Sequence, residues 1–208
     1  MNNLTDRFIE VLRMKYIHLD KEDASFAFSY GTHDIIGKSL NIYFEKSNGA
    51  TDWKNNLDFP AKPYRDMADK WYAHRGFLKV WKAIEPHLKY VIMNPEVRCI
   101  YIYGYSHGAA IALLCHEYCK YHRPDINVYG YGFGAPRVIW GFPNERVKKR
   151  FEGFTVVRNK KDIVTHLPPA IFGFKHYNVK TIGDGSYNGI DAHRPGSYIA
   201  ELDKEDMR

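Results

Sequence analysis

Residues 97–108 have the sequence VRCIYIYGYSHG, and the apolar run AAIALLC follows at residues 109–115. The β-branched and aromatic residues of 97–103 predict a short strand, and the apolar run predicts a helix over about 107–121. Residues 104–108 fit the pattern G-x-S-x-G, which holds a nucleophilic serine in a sharp turn between a strand and a helix. This stretch therefore predicts Ser106 as a nucleophile, with an ordinary helix-capping serine as the alternative.

Strands and helices also alternate along the rest of the chain. The sequence predicts strands at residues 24–30, 39–44, 126–133 and 154–158. It predicts helices at residues 4–16 and from Gly76 onwards, with Pro86 expected to kink or end the second helix. Alternating strands and helices predict an α/β fold, with a mostly parallel central sheet and helices on both faces. The length predicts a single domain over residues 1–208.

Composition and charge narrow the class of protein. Of the 208 residues, 45% are apolar and 26% are charged, which is typical of a globular protein. No apolar run reaches the roughly 20 residues of a membrane span, so no transmembrane segment is expected. No leader pattern is visible at the N-terminus, so we expect a cytoplasmic location, with leaderless release as the alternative.

The net charge of +6 could favour an anionic lipid surface or a nucleic acid. The basic runs at residues 147–150 and 159–161 lack the interleaved aromatic residues of a nucleic-acid platform. We therefore expect solvated basic faces and no nucleic-acid partner. Cys115, Cys119 and His122 share one helical face, but the apolar helix around them favours buried free thiols over a metal site. No metal is expected.

A serine hydroxyl needs a base, and in folds of this type the chain order is serine, carboxylate, histidine. The acids that follow Ser106 include Asp125, Asp162 and Asp184, and the downstream histidines are His166, His176 and His193. Asp162 comes shortly after a predicted strand, which places it in the right layer of the fold. His166 is only four residues from Asp162. The spacing along the chain cannot choose between His176 and His193.

Six blocks in the right order resemble the class 3 lipase family, the fungal triacylglycerol lipases and their bacterial relatives. Residues 52–57 are similar to N-W-x-x-D-L, 74–78 to H-x-G-F, 104–108 to G-H-S-L-G, 134–138 to G-x-P-R-V, 159–169 to N-x-x-D-x-V-P-x-L-P-P, and 172–176 to F-G-F-x-H. The resemblance spans roughly residues 24–198 and implies an α/β-hydrolase fold.

The resemblance also implies a catalytic triad of Ser106, Asp162 and His193. In the family the base lies in a D-H-x-x-Y-like segment, to which residues 191–198 are loosely similar. The histidine after the F-G-F block is not the base in the family, which makes His176 the alternative. Tyr105 and His107 replace a histidine and a leucine of the family's G-H-S-L-G block.

An oxyanion hole requires two hydrogen-bond donors. The first is the backbone N–H of His107, which directly follows the nucleophile. The second, implied by the family's F-R-G-S/T pattern, is Ser47, since Phe44 and Trp53 have the family's separation. Glu45 and Lys46 replace the family's Arg and Gly. A competing placement at residues 31–32 requires a long insertion before Trp53.

Residues 47–59 correspond to the family's lid helix, and Ala50, Trp53 and Leu57 fall on one apolar face of it. The resemblance implies a serine hydrolase that cleaves carboxylic esters, of lipids, through an acyl-enzyme intermediate. That reaction requires no metal or cofactor. The partners expected are a small-molecule or lipid ester substrate and, transiently, a lipid surface. The alternatives are a phospholipase A1-type variant and a non-catalytic binding protein that retains the fold.

Overall fold

The computed structural model of the chain describes residues 3–20, 27–31, 34–36, 38–46, 58, 60–64 and 69–207. Its helices are α1 (Leu4–Arg13), α2 (Arg75–Ile92), α3 (His107–His122), α4 (Glu145–Arg150) and α5 (Pro195–Asp206). Its strands are β1 (Tyr16–Asp20), β2 (Ala27–Gly31), β3 (Asp34–Ile36), β4 (Ser39–Phe44), β5 (Ala61–Pro63), β6 (Tyr72–His74), β7 (Cys99–Tyr105), β8 (Asn127–Phe133), β9 (Ile139–Trp140), β10 (Phe154–Asn159), β11 (Phe174–Lys175) and β12 (Val179–Ile182). Three short 3-10 turns lie at Val164–His166, Ala170–Phe172 and Asp191–His193.

The main sheet has the described strands in the order β12-β10-β8-β7-β4-β3. Neighbouring strands from β12 to β4 run parallel, and β3 pairs antiparallel with β4 at the edge. The mostly parallel sheet predicted from the sequence is therefore confirmed. Strands β11, β9, β6 and β5 form a smaller antiparallel sheet. Because parallel strands share one carboxyl edge, the segments that follow β4, β7, β8 and β10 come together there.

Helices cover both faces of the main sheet, as the alternation of side chains along β7 requires. Ile100 and Ile102 pack into a core that they share with buried residues of α2 and α3. Tyr103 and Tyr105 pack into a second core with Phe8 of α1 and with buried residues of α5. The expectation of helices on both faces is thus confirmed.

Helix α2 continues through Pro86 to Ile92. A proline inside a helix costs about 3 kcal/mol relative to alanine. Trp81, Ile84 and Leu88 on the same helix are all fully buried, and each contributes ~1.5–3 kcal/mol. This burial outweighs the cost of the proline. Of the two outcomes expected for Pro86, an end to the helix is therefore wrong.

Helix α1 ends at Arg13, so the helix expected over residues 4–16 is three residues too long. The backbone of Met14, with ψ of 141°, has already left the helical conformation, and Tyr16 begins β1. The hydroxyl of Tyr16 donates a hydrogen bond to the backbone oxygen of Val11 at 2.7 Å. Tyr16 therefore still contacts the helix, although the backbone at this residue has become a strand.

The basic run at residues 147–150 is not wholly a solvated face. Arg150 is buried, with its Nε 2.5 Å from Oε1 of the fully buried Glu117 and its Nη1 3.3 Å from Oδ2 of Asp69. Val147 is also buried, because α4 packs one side against α3. The expectation of a solvated face is wrong for these two residues, since a short amphipathic helix directs them inwards.

Candidate active site

Ser106 lies in a strained turn between β7 and α3. Its φ is 57° and its ψ is −123°, a region that costs a non-glycine residue roughly 1–3 kcal/mol. The backbone N–H of Ser106 donates to the backbone oxygen of Phe133 at 2.9 Å, which fixes the turn against the end of β8. The side chain makes no capping hydrogen bond to α3. The geometry therefore differs from that of a helix-capping serine, the alternative left open by the sequence.

Gly104 and Gly108 allow the close approach of three backbone segments around this turn. A Cβ atom on Gly104 would lie 2.3 Å from the backbone oxygen of Gly108. A Cβ atom on Gly108 would lie 2.3 Å from the backbone oxygens of Phe44 and Glu45 at the end of β4. Both distances are too short for any side chain. The spacing of the glycines in G-x-S-x-G follows from this packing of α3 against β7 and β4.

Ser106, His193 and Asp162 form one hydrogen-bonded line. Ser106 Oγ lies 2.8 Å from His193 Nε2, and His193 Nδ1 lies 2.8 Å from Asp162 Oδ2. Because a carboxylate only accepts hydrogen bonds when ionised, Nδ1 carries the proton and Nε2 accepts the hydrogen bond of the serine hydroxyl. The Asp162 side chain is fully buried and that of His193 is 12% exposed. The arrangement can take a proton from Ser106.

Two further donors hold the buried carboxylate of Asp162. The hydroxyl of Tyr198 donates to Oδ2 at 2.7 Å, and the backbone N–H of Val164 donates to Oδ1 at 2.9 Å. The Tyr198 oxygen in turn accepts the backbone N–H of Asn159 at 3.1 Å. These hydrogen bonds replace water around a charge that would otherwise be costly to bury. The sequence analysis assigned no function to Tyr198, which appeared only as the last residue of the D-H-x-x-Y-like segment.

Gly134 leaves room for the same two side chains. It follows β8 in a left-handed conformation, with φ of 61°. A Cβ atom there would lie 2.9 Å from His193 Cε1 and 3.2 Å from Asp162 Oδ2. Gly134 opens the G-x-P-R-V block, and that block is the one sequence feature that could have drawn attention to it. Gly134 contributes to the site because it has no side chain to displace His193 or Asp162.

His176, the alternative base, is bonded elsewhere. Its Nε2 donates to the backbone oxygen of Thr165 at 3.0 Å. Burial, the largest cause, lowers the pKa of His176 to about 4, so the ring is neutral near neutral pH. The Nδ1 atom of His166 contacts the backbone oxygen of Asp162 at 3.0 Å. Neither ring is hydrogen-bonded to Ser106.

The other acids that follow Ser106 are also bonded elsewhere. Asp125 forms an ion pair with Arg123 at 3.0 Å, and Asp184 accepts the backbone N–H of Ser186 at 2.7 Å. Among these three acids, Asp162 is thus the one that a histidine connects to Ser106.

His107 follows Ser106 as the first residue of α3. The helix N-terminus directs N–H groups and a partial positive charge to this point. The side chain of His107 is buried against the ring of Phe77, with ring centroids 5.4 Å apart. Burial, followed by the nearby His74, lowers the pKa of His107 to about 3. The imidazole is therefore neutral beside the nucleophile.

Ser47, the second oxyanion donor expected, lies outside the described residues, as does the expected lid over 47–59 apart from Asp58. Residue 32 of the competing placement is outside them too, whereas Gly31 ends β2. Glu45 is described, and its backbone oxygen lies over Gly108. The chain therefore leaves β4 next to the start of α3.

The described residues hold no group of three or more His, Cys, Asp or Glu side chains arranged to bind a metal ion. Cys115 and Cys119 are buried free thiols. The ring of His122 packs on Tyr118, with centroids 4.2 Å apart. These contacts account for the three side chains as parts of a helix that packs against its neighbours.

The curated proteins that are similar to this chain include two fungal lipases. One is the secreted mono- and diacylglycerol lipase 1 of Fusarium solani, which is 26% identical over 162 residues, covering 76% of this chain and 47% of the relative. The other is a lipase of Rhizomucor miehei, 32% identical over 149 residues, covering 67% of this chain and 40% of the relative. The chain therefore spans less than half the length of these relatives.

A solved structure supports the same relationship. It is a triacylglycerol lipase whose catalytic centre is described as a serine-protease triad, with a TM-score of 0.63 and 25% identity. The match covers 83% of this chain and 68% of that one. The α/β-hydrolase fold expected from the sequence is confirmed by this similarity together with the central sheet.

The cytoplasmic location expected from the sequence is contradicted by these comparisons, because the Fusarium solani relative is named as a secreted protein. The expectation rested on the lack of a leader pattern at the first residues, which does not determine where a protein acts. No helix among the described residues has the length and apolar character needed to cross a membrane.

A family profile also matches the sequence. The profile of class 3 lipases matches residues 42–172, which is more than half of the chain and runs from β4 through Ser106 and Asp162. The blocks that suggested this family lie largely within the matched range. On the strength of this match, together with the fold and the relatives, the chain belongs to the class 3 lipase family.

Proposed function

We propose that the chain hydrolyses carboxylic esters of lipids through an acyl-enzyme intermediate on Ser106. The observation that carries the proposal is the continuous hydrogen-bonded line from Asp162 through His193 to Ser106. Membership of a family named for lipases supports it. In this mechanism Ser106 Oγ attacks the ester carbonyl carbon while His193 Nε2 takes its proton.

The imidazolium formed in that step is stabilised by Asp162, which accepts the Nδ1 proton in a hydrogen bond and stays ionised. His193 then gives the proton to the leaving alcohol. A water molecule, activated by the same imidazole, releases the acid and restores Ser106. The backbone N–H of His107 stabilises the oxyanion, and Ser47 is the second donor that we propose. One such donor contributes roughly 10²–10³-fold to the rate.

Acylglycerols are the first substrates to test. The Fusarium solani relative is named for mono- and diacylglycerols, and the solved structure is of a triacylglycerol lipase. Two exposed apolar side chains also lie within three residues of the acid or the base along the chain. Ile163 directly follows Asp162 and is 47% exposed, and its backbone N–H donates to the oxygen of Gly189, which brings the 52% exposed Ile190 alongside. We call these two isoleucines the apolar rim. An apolar rim favours an acyl chain over a polar substrate.

The same apolar rim supports a transient contact with a lipid surface. Leu167, 40% exposed, lies five residues after Asp162 and adds a third exposed apolar side chain. Burying a fully exposed side chain of this kind contributes ~1.5–3 kcal/mol. Because these side chains are already about half buried, each contributes less, and a few of them give a weak and reversible contact. Binding to sedimented phosphatidylcholine vesicles, compared between the wild type and Ile163→Ser, tests this contact. Equal binding of both proteins would argue against it.

We also propose that the protein acts outside the cell, as the name of the Fusarium solani relative suggests. Ester hydrolysis in the culture medium of the source cells, compared with that in their lysate, tests this proposal. Activity confined to the lysate would contradict it.

Replacement of Ser106 tests the reaction itself. Ser106→Ala should lower kcat by roughly 10⁴–10⁶-fold and leave the fold intact. Ser186→Ala, which changes an exposed serine bonded to Asp184, is the matched control and should keep full activity. A fluorophosphonate probe should label the wild type and Ser186→Ala but not Ser106→Ala.

The substrate panel for these proteins contains a p-nitrophenyl ester, a diacylglycerol and a phospholipid. Cleavage of the phospholipid at the first acyl position would assign the phospholipase A1-type variant. A wild type that is neither labelled nor active on any member of the panel would identify a binding protein that retains the fold.

A further inference from the structure

The 3-10 turn Asp191–His193 is held through its three carbonyl oxygens by three separate side chains. Ser197 Oγ donates to the first carbonyl at 2.6 Å, and Asn159 Nδ2 donates to the second at 3.0 Å. The hydroxyl of Tyr105 donates to the third, which is the carbonyl of His193 itself. Tyr105 is also the residue directly before Ser106. It therefore links the turn that carries the nucleophile to the main chain of the base.

The ring of Tyr105 stacks on the imidazole of His193, with centroids 5.2 Å apart and planes inclined by 25°. The ring of Phe8 in α1 packs edge-to-face with the ring of Tyr105, with centroids 5.2 Å apart. The tyrosine is only 3% exposed, so its ring has little freedom to move. Burial raises the pKa of Tyr105 well above its usual value, which keeps the hydroxyl protonated as a donor.

A stacked aromatic face acts on the charged form of the base. The face of a tyrosine ring carries negative potential and attracts a cation, and His193 becomes an imidazolium during each half of the proposed cycle. Among the residues that the structure describes, the other titratable groups that contact the imidazole are Asp162 at Nδ1 and Tyr198, edge-on at 6.5 Å. Its neighbours Asp191 and Arg194 pair with each other at 3.1 Å.

We infer that Tyr105 is a positioning residue for the base, through two separable groups. Its hydroxyl sets where the main chain of His193 lies relative to Ser106, and its ring stabilises the imidazolium. The inference rests on the proposed function for its effect on turnover. The family block that residues 104–108 resemble has histidine at this position, so the arrangement belongs to this chain's own sequence.

Tyr105→Phe removes the hydroxyl and keeps the ring. We expect kcat for a soluble ester to fall about tenfold, since the base is no longer fixed relative to the nucleophile, while KM stays within about twofold. Tyr103→Phe is the matched control. Tyr103 lies on the same strand and face and is 1% exposed, but its ring stacks on Tyr43 and Tyr131 instead of on His193. This control should keep the wild-type kcat.

Tyr105→Leu removes the ring as well, and Tyr105→Met repeats the change with an unbranched side chain. Without the aromatic face the imidazolium is less stable, so the pKa of His193 falls. The acid limb of kcat/KM should then move to lower pH by about half a unit. NMR titration of the His193 imidazole, assigned with His193→Gln, measures the same shift without any turnover. Tyr105→Phe should leave this pKa at its wild-type value.

Two results would overturn the inference. One is a wild-type kcat in Tyr105→Phe, or a loss that Tyr103→Phe matches. The other is a His193 pKa that is unchanged in Tyr105→Leu and Tyr105→Met. If the wild type hydrolyses no ester and takes no fluorophosphonate, the proposed function fails instead, and the NMR titration still decides whether the ring acts on His193.

Discussion

Replacing Gly134 by alanine would press a methyl group against the base and the acid of the proposed triad. The new Cβ would lie 2.9 Å from His193 Cε1 and 3.1 Å from His193 Nδ1. Ordinary contacts begin at 3.4 Å, so the imidazole has to retreat by about 3.4 − 2.9 = 0.5 Å. Because a misplacement of about 1 Å can lower a rate ~10²-fold, half that distance predicts a fall in kcat of about tenfold. The left-handed backbone at Gly134 adds a stability cost of ~1–2 kcal/mol.

Gly141→Ala separates the two effects. Gly141 has a φ of 72°, close to the 61° of Gly134, but nothing lies within 4 Å of its Cβ position. Both variants should therefore lose ~1–2 kcal/mol of unfolding free energy in urea, and only Gly134→Ala should also lose activity. The measurements are urea unfolding followed by circular dichroism, and kcat on p-nitrophenyl butyrate. Equal kcat values in the two variants would refute the steric argument.

Two other side chains near the site give further predictions. Tyr198→Phe should cost roughly 1.5–3 kcal/mol of unfolding free energy and reduce kcat, because the buried Asp162 loses a charge-assisted hydrogen bond; a urea midpoint like the wild type would contradict this. His176→Gln tests acid stability. The pKa of His176 is lowered to about 4 in the folded chain, so the unfolded chain binds the extra proton between pH 6.5 and 4. As the pH falls from 6.5 to 4, the unfolding free energy of the wild type should therefore decrease by up to about 1.4 kcal/mol per pH unit relative to that of the variant. Parallel curves of unfolding free energy against pH would exclude this.

Features that depend on local chemistry could be predicted from the sequence. Strand β7 and the helix that begins at His107 follow from the apolar pattern, and Gly104 is required by a backbone contact only four residues away, whereas Gly108 is required by the distant end of β4. Pro86 shows where local rules fail. Its helix continues because side chains of the same helix are buried against distant parts of the core, and this burial contributes more than the proline costs.

The acid and the base of the proposed triad also differ in how far the sequence could predict them. Asp162 could be placed beside the site, because it follows a strand whose carboxyl end must reach the common edge of a parallel sheet. His176 and His193 were indistinguishable by spacing, and the resemblance to a family, rather than the residues themselves, favoured His193. Whether an imidazole faces Ser106 or the backbone of Thr165 depends on how two loops fold over that edge.

By itself, the sequence determined the strand-turn-helix around Ser106, the class of fold and the family, because these follow from periodicity and from motifs of a few adjacent residues. Tertiary structure alone decided the contacts that join distant segments. The hydroxyl of Tyr198 on Asp162, the empty space beside Gly134 and the ring of Tyr105 on His193 each connect residues that are 28 to 88 positions apart. Hydrogen bonds and steric contacts act over a few ångströms of space, and the order of residues along the chain does not record which segments come that close.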